Sequence, residues 1–216
     1  MRTALVTGGA QRIGAGISRA LSAAGYAVAI HCHRSRDAAE ALAAEFAAAG
    51  ERAAVVAGDL TDPEVPERLI AETAHALSPP LCVVNCAATF DHDTPHTFDV
   101  ATWDRQFAAN LRGPALIARA FAAALPAKRK GVLIELLDQK VETPSPDFFS
   151  YTLTKSALAT MTRLQAIAFA PRIRVNAVAP GLTLPSGAQN QARFAAVHDK
   201  TILGRGSTVG DIADAV

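Results

Sequence analysis

The chain opens with a short apolar run, Thr3–Thr7, that breaks at Gly8-Gly9 and passes directly into a segment, Arg12–Ala24, with Ile13, Ile17, Ala20 and Leu21 at helical spacing. Gly25 stops that segment and a second apolar run, Tyr26–Cys32, follows. A strand, a glycine turn, a helix and a second strand within the first 32 residues already restrict the fold, because parallel strands need a crossover between them. The pattern then repeats. Helices are expected over Asp37–Ala49, Pro63–Leu77, Thr102–Ala124 and Phe149–Ala170, and strands over Arg52–Ala57, Leu81–Asn85, Val132–Leu137 and Ile173–Val178. Strands alternating with helices predict an α/β architecture, a doubly wound parallel sheet with helices on both faces. A capped helix with Ser207 or Thr208 as N-cap closes the chain, so a seventh strand to cover the last edge is expected and missing.

Neither repeat nor linker divides the sequence, and half of its 216 residues are hydrophobic, enough for one large core; residues 1–216 read as a single domain. A net charge of +1, spread along the chain, gives no electrostatic footprint for nucleic acid. Neither a basic amphipathic helix nor an apolar run of spanning length points to a membrane, and MRTALVTGG lacks the layout of a signal peptide. Cys32, Cys82 and Cys86 lie in or beside apolar runs and read as reduced core residues of a cytoplasmic protein. His92, His96 and His198 show no metal-ligand spacing, and no metal site is expected.

Chemistry concentrates in two places. The first is Thr7–Gly14, TGGAQRIG, at the first strand-to-helix turn, where glycines let backbone approach a pyrophosphate seated on a helix N-terminus. A plain glycine turn would look the same. The end of the second strand helps to decide, since a chain binding NAD tends to place an acid there for the ribose 2′-hydroxyl. Here stand His31-Cys32-His33-Arg34-Ser35-Arg36, whose cations and hydroxyl suit a 2′-phosphate, hence NADPH or NADP+. The second place is Asp138–Lys155. Tyr151 and Lys155 are four apart and share a helix face, and Asp138 precedes the tyrosine by thirteen. A lysine beside a phenol favours the phenolate and so eases proton transfer, although many surface helices carry such a pair.

In order and at fitting distances, TGGAQRIG, Asp59-Leu60, Asn85-Cys86-Ala87-Ala88, Asn110, Tyr151–Lys155 and Pro180-Gly181 resemble the markers of the short-chain dehydrogenase/reductase family, over nearly the whole chain. The resemblance implies a Rossmann-type sheet and a nucleotide held by Gly8, Gln11, Arg12 and Ile13 at the turn and by His33, Arg34 and Ser35 at the second strand. Asp59 and Leu60 would meet the adenine, with Asn85, Ala87, Lys155, Pro180 and Gly181 completing the cofactor contacts. It makes Tyr151 the proton donor, with Lys155 holding ribose hydroxyls and Asn110 keeping a relay water. A homo-oligomer, tetramer or dimer, is implied if the C-terminal part is present in full.

Three departures narrow the resemblance to the pteridine reductases: Arg12 at the usual second glycine, the HCHRS loop, and Asp138 at the usual catalytic serine. Substrate would then meet Arg12, Phe90, Asp138 and Tyr151, with Phe90 stacking on a pterin ring. An ionised aspartate only accepts hydrogen bonds and cannot support a ketone oxygen as a serine does, whereas protonated or relaying a proton it can serve a ring nitrogen. Asp138 as a strand-end turn residue and Phe90 as a cap on the core remain open at this level. Cys86 and Ala88 depart from that pattern and leave the substrate unnamed. The expected activity is reduction of a pteridine-like C=N. The alternatives are a carbonyl or 3-oxoacyl reductase, and a truncated NADP-binding protein without turnover.

Overall fold

The computed structural model describes residues 2–185, 194, 201 and 203–216. Six strands alternate with helices: β1 (Arg2–Thr7), α1 (Arg12–Ala23), β2 (Tyr26–Cys32), α2 (Arg36–Ala48), β3 (Ala53–Ala57), α3 (Val65–Ala76), β4 (Cys82–Asn85), α4 (Val100–Phe107), α5 (Gly113–Ala124), β5 (Gly131–Leu136), α6 (Phe149–Phe169), β6 (Ile173–Val178) and α7 (Val209–Ala215). All pairings are parallel, in the order β3-β2-β1-β4-β5-β6. Side chains alternate between the faces of each strand, so both faces must be covered. Ala4, Val6, Val28 and Ile30 pack under α1 and α2 together with Ile212 of α7. Leu5, Val83 and Leu133 pack under α3 and α5, with Phe121 wholly buried.

The chain moves to β2 on one side of β1 and to β4 on the other, so the loops after β1 and β4 diverge. A crevice at the carboxyl ends of the strands follows from that order, as in other open α/β sheets.

Most expected elements lie where the periodicity puts them, and Thr208 is the N-cap of α7, in a reciprocal capping box with Asp211. One differs. The single helix expected over Thr102–Ala124 is two helices joined by a π turn at Ala108–Arg112. Apolar spacing continues through the turn, so periodicity cannot reveal it. A π turn widens a helix locally and is found mostly at functional sites; this one carries Asn110. Among the described residues β6 is a sheet edge.

Candidate active site

At the glycine turn the backbone is crowded. Gly8 has φ 63°, and a Cβ there would stand 2.9 Å from the Cα of Ala87. A Cβ on Gly14 would meet the carbonyl oxygen of Gly8 at 2.1 Å. No side chain fits at either place, which leaves α1 to begin directly against the turn. Gln11 makes no side-chain cap and the first turn of α1 holds no acid, so its amides remain open to an anion. Arg12 takes the left-handed backbone (φ 52°) for which glycine is the ordinary choice, and its guanidinium donates to the carbonyl of Pro185 at 2.8 Å.

A cleft of about 1070 Å³ runs from this turn along the ends of β2 and β3. Gly8, Gln11, Arg12, Ile13, His33, Arg34, Ser35, Asp59, Leu60, Ala87 and Phe90 all line it. Arg36 is committed to Glu40 at 2.8 Å, whereas Arg34 has no ion pair among the described residues. His33 lies 3.7 Å from Asp59. Burial works to raise the Asp59 carboxyl, but hydrogen bonds from Thr61 and the charges of His33 and Arg34 outweigh it and hold it below its usual range. A cradle without side chains and an uncapped helix start fit a dinucleotide pyrophosphate, and Arg34 at the β2 end, without an ion pair among the described residues, fits a 2′-phosphate.

His31 supports this turn and escaped the sequence reading. Its Nδ1 accepts from the Gly8 amide at 3.1 Å, so Nε2 carries the proton and donates to the Gly58 carbonyl at 3.0 Å. Desolvation, with the neighbouring His33 and Arg68 charges, drives its pKa down to about 4 against the Gly58 hydrogen bond, so the ring is neutral.

The proton-handling residues meet where β5 ends. Asp138 does two jobs. Its Oδ1 accepts from the Lys140 amide at 2.9 Å and caps the 3₁₀ turn Gln139–Val141, and its Oδ2 accepts from the Tyr151 hydroxyl at 3.0 Å. The turn reading of that residue therefore holds, and the same carboxylate also touches the Tyr151 hydroxyl. Lys155 is fully buried and donates from Nζ to the Leu136 carbonyl at 2.6 Å, 5.6 Å from the Tyr151 ring centre.

That geometry corrects one expectation. Lys155 does not favour the phenolate here: burial first, then the charge and hydrogen bond of Asp138, push the Tyr151 hydroxyl far above its ordinary pKa. Desolvation also lowers Lys155, against the pull of Cys86, Glu135 and Asp138. Tyr151 thus stands as a protonated donor.

Other expected residues lie differently from one another. Asn110 is buried; its Oδ1 accepts from the Thr89 amide at 2.8 Å and its Nδ2 donates to the Thr89 carbonyl at 2.9 Å, pinning the chain just after β4. Asn85 does not line the cleft, because its carboxamide turns inward to Glu135. Pro180 and Gly181 stand beside the 3₁₀ turn, where the Pro180 carbonyl accepts from the Gln139 amide at 3.0 Å. Phe90 is stacked on Phe148 (centroids 4.0 Å, planes 9° apart) and sets its ring edge-on to Tyr151 at 4.6 Å. His198 and most of the loop from Leu182 to Lys200 lie outside the described residues.

A buried polar bridge was also invisible in the sequence. Phe148 precedes α6 in a left-handed conformation (φ 59°) without capping it. Asp93, in the loop after β4, supplies the cap instead: its carbonyl accepts from the Phe149 amide at 3.2 Å and its Oδ1 from the Ser150 amide at 3.1 Å. The Ser150 hydroxyl donates to Asp93 Oδ2 and accepts from Gln106 at 2.6 Å. Nothing local marks Asp93 for this role, since the helix it caps begins 56 positions later.

With a dinucleotide cleft at the strand ends and a tyrosine, a lysine and an aspartate gathered beside it, the site has the form of a nucleotide-dependent oxidoreductase. The chain matches the short chain dehydrogenase family over residues 2–195 and belongs to it. It is similar to the FolM alternative dihydrofolate reductase 1 of Brucella canis, solved with NADP, at 41% identity and a TM-score of 0.96, covering 99% of this chain and 85% of that one. The same protein of Brucella suis, also with NADP, is equally similar, at 41% identity, a TM-score of 0.96 and cover of 99% and 86%. Among curated relatives, pteridine reductase 1 of Leishmania tarentolae is 32% identical over 84% of this chain and 76% of its own length.

Proposed function

We propose that this chain is an NADPH-dependent reductase that delivers hydride to a pteridine-like C=N, of the dihydropterin, dihydrofolate or dihydromonapterin class. The observation that carries the reading is the 3.0 Å hydrogen bond from Tyr151 to Asp138, with Phe90 edge-on to the same phenol. The cofactor, when bound, supplies the hydride. Arg34, Ser35 and His33 hold its 2′-phosphate, and the glycine turn with Gln11 and Ile13 holds the pyrophosphate. Lys155, now spending a proton on the Leu136 carbonyl, offers its ammonium to ribose hydroxyls. Tyr151 gives its proton to the nitrogen being reduced, and Asp138, already in contact with the phenol, replaces it from solvent. Phe90 offers an aromatic face and Arg12 a cation for a flat, nitrogen-rich ring. The similarity to dihydrofolate and pteridine reductases supports the substrate class.

The purified chain mixed with NADPH and a panel of dihydropterins and dihydrofolate should consume NADPH. Clear turnover of ketones with none across the panel would overturn the reading in favour of a carbonyl or 3-oxoacyl reductase, which the Tyr151 and Lys155 pair also suits. Asp138→Ser separates the two: it should abolish pterin turnover and preserve or raise ketone turnover. The same reading includes a cytoplasmic setting, supported by three free cysteines; among the described residues no helix is long and apolar enough to cross a membrane. It also includes a homo-oligomer, supported by Leu164 and Ile167, which are 62% and 78% exposed on α6.

A further inference from the structure

Glu135 is a charged residue type in the middle of an apolar strand, GVLIEL, and it is completely buried. Its strand register sets it directly opposite Asn85 on β4 and Ala177 on β6. Asn85 Nδ2 donates to Glu135 Oε1 at 3.1 Å and reaches the Pro114 carbonyl of α5 at 3.5 Å. The remaining oxygens of the same two groups, Glu135 Oε2 and Asn85 Oδ1, are both buried and have no hydrogen-bond partner. Two orphaned acceptors in one contacting pair cost free energy that native interiors rarely leave uncompensated. A single proton removes both deficits. A carboxylic acid presents one donor and one acceptor, and a carboxamide presents both as well, so the two close on each other through paired hydrogen bonds.

The neighbours of Glu135 decide what that proton does. Asn85 on β4, Ala177 on β6 and Pro114 on α5 carry no charge, and among the described residues Lys155 on α6 is the one charged group that acts on it. Lys155 in turn feels Cys86 and Asp138. Burial, opposed by Asn85 and Lys155, raises the Glu135 carboxyl to about 7.

We infer that Glu135 is a positioning residue for Lys155: holding a proton it closes a neutral acid–carboxamide pair with Asn85, and releasing that proton sets a buried counter-charge behind the lysine. The effect on Lys155 rests on the role proposed for that residue above; the protonated pair does not. Ionised Glu135 favours the charged form of Lys155 but draws its ammonium back from the cofactor hydroxyls, so reduction slows as the pair loses its proton. Glutamine at this position has an amide donor and a carbonyl acceptor and keeps both hydrogen bonds at every pH.

Infrared spectroscopy of the wild-type protein tests the pair. At about pH 6, where ordinary side-chain carboxyls are ionised, the spectrum should retain a carboxylic acid carbonyl band that fades at about pH 8 and is absent from Glu135→Gln. No such band in the wild type would overturn the proposal, whether or not the variant folds. Thermal unfolding gives a second measurement. The folded chain keeps a proton that the unfolded chain releases from about pH 4 upward, so wild-type stability falls as pH rises from there to about 7 and then levels. The advantage of Glu135→Gln in Tm should grow over that interval; a pH-independent difference argues against the pair. The coupling to Lys155 is read from kcat, which should fall in the wild type as pH passes about 7 and lack that limb in Glu135→Gln. Identical profiles would remove the coupling. Absence of turnover in the wild type would count against the proposed function alone, with infrared and Tm still judging the pair.

Discussion

Asp93 caps a helix to which it does not belong. Its carboxylate and carbonyl take the Ser150 and Phe149 amides of α6, one residue before Tyr151, while Phe90 on the same loop leans on the Tyr151 ring. The Phe90 ring and the start of the helix that carries Tyr151 are therefore set by one loop, and a shift of that loop moves both.

Replacing Asp93 with alanine strands the Ser150 amide and hydroxyl in a buried site. The expected cost is about 2 kcal/mol of stability, read by urea unfolding. Turnover should fall at least as much as substrate binding weakens, and the Kd for NADPH should change less than either, because the glycine turn and the β2 end of the cleft make no contact with Asp93. Asp93→Asn keeps an acceptor and should recover part of both losses.

The elevated Tyr151 pKa has two main sources, burial and Asp138. Asp138→Asn removes the charge and leaves the burial, so the phenol should ionise at lower pH than in the wild type. Difference absorbance of the phenolate over an alkaline titration measures this. An unchanged titration would show that burial alone sets the value.

His31 makes the cofactor turn sensitive to acid. Its pKa is about 4 in the folded chain, against about 6.5 when unfolded, so its contribution is complete above the unfolded value and is lost as pH falls through the folded one. The wild type should lose about 3 kcal/mol of stability over that interval from this group. Protonation also removes the Nδ1 acceptor for the Gly8 amide, so NADPH affinity should fall in parallel. His31→Asn offers Gly8 an acceptor that does not titrate. It should cost about 1 kcal/mol at neutral pH through loss of the Gly58 bond and flatten the acid limb of both curves.

Arg34 is the cation at the β2 end without an ion pair among the described residues, and the proposed NADPH preference rests on it. Arg34→Asp should reduce kcat/KM for NADPH by roughly 100-fold, the equivalent of a lost charge-assisted contact, and bring NADH to parity or better. An unchanged ratio of the two cofactors would place the 2′-phosphate elsewhere.

The alternating elements, the parallel sheet and the glycine turn were legible because apolar runs and glycine stops act locally. Each helix and strand start could be read within a few residues of itself. Asp138 and Arg12 stood out as unusual residue types at marked places, and both stand at the site. The π turn at Ala108–Arg112 was not legible, since one extra residue in a turn leaves the apolar spacing intact on either side. Asp93 and His31 act across gaps of 57 and 23 positions, through hydrogen bonds that only tertiary packing brings together. Asn85 illustrates the reverse case: the family resemblance at the end of β4 suggested a cofactor contact, and the strand register sets its side chain inward against Glu135. The protonation state of Tyr151 depends on burial, and residue spacing carries no measure of burial.

Asp138 divides its two oxygens between the Lys140 amide and the Tyr151 hydroxyl. One side chain thus serves both the phenol and the turn, and a replacement that removes both of its oxygens reaches both contacts at once. A serine at this position could court a carbonyl oxygen, yet its lone hydroxyl would have to desert either the turn or the phenol. A serine variant that turns over ketones should therefore carry a looser turn at residues 139–141, and that short turn is where the stability of such a redesign can be restored.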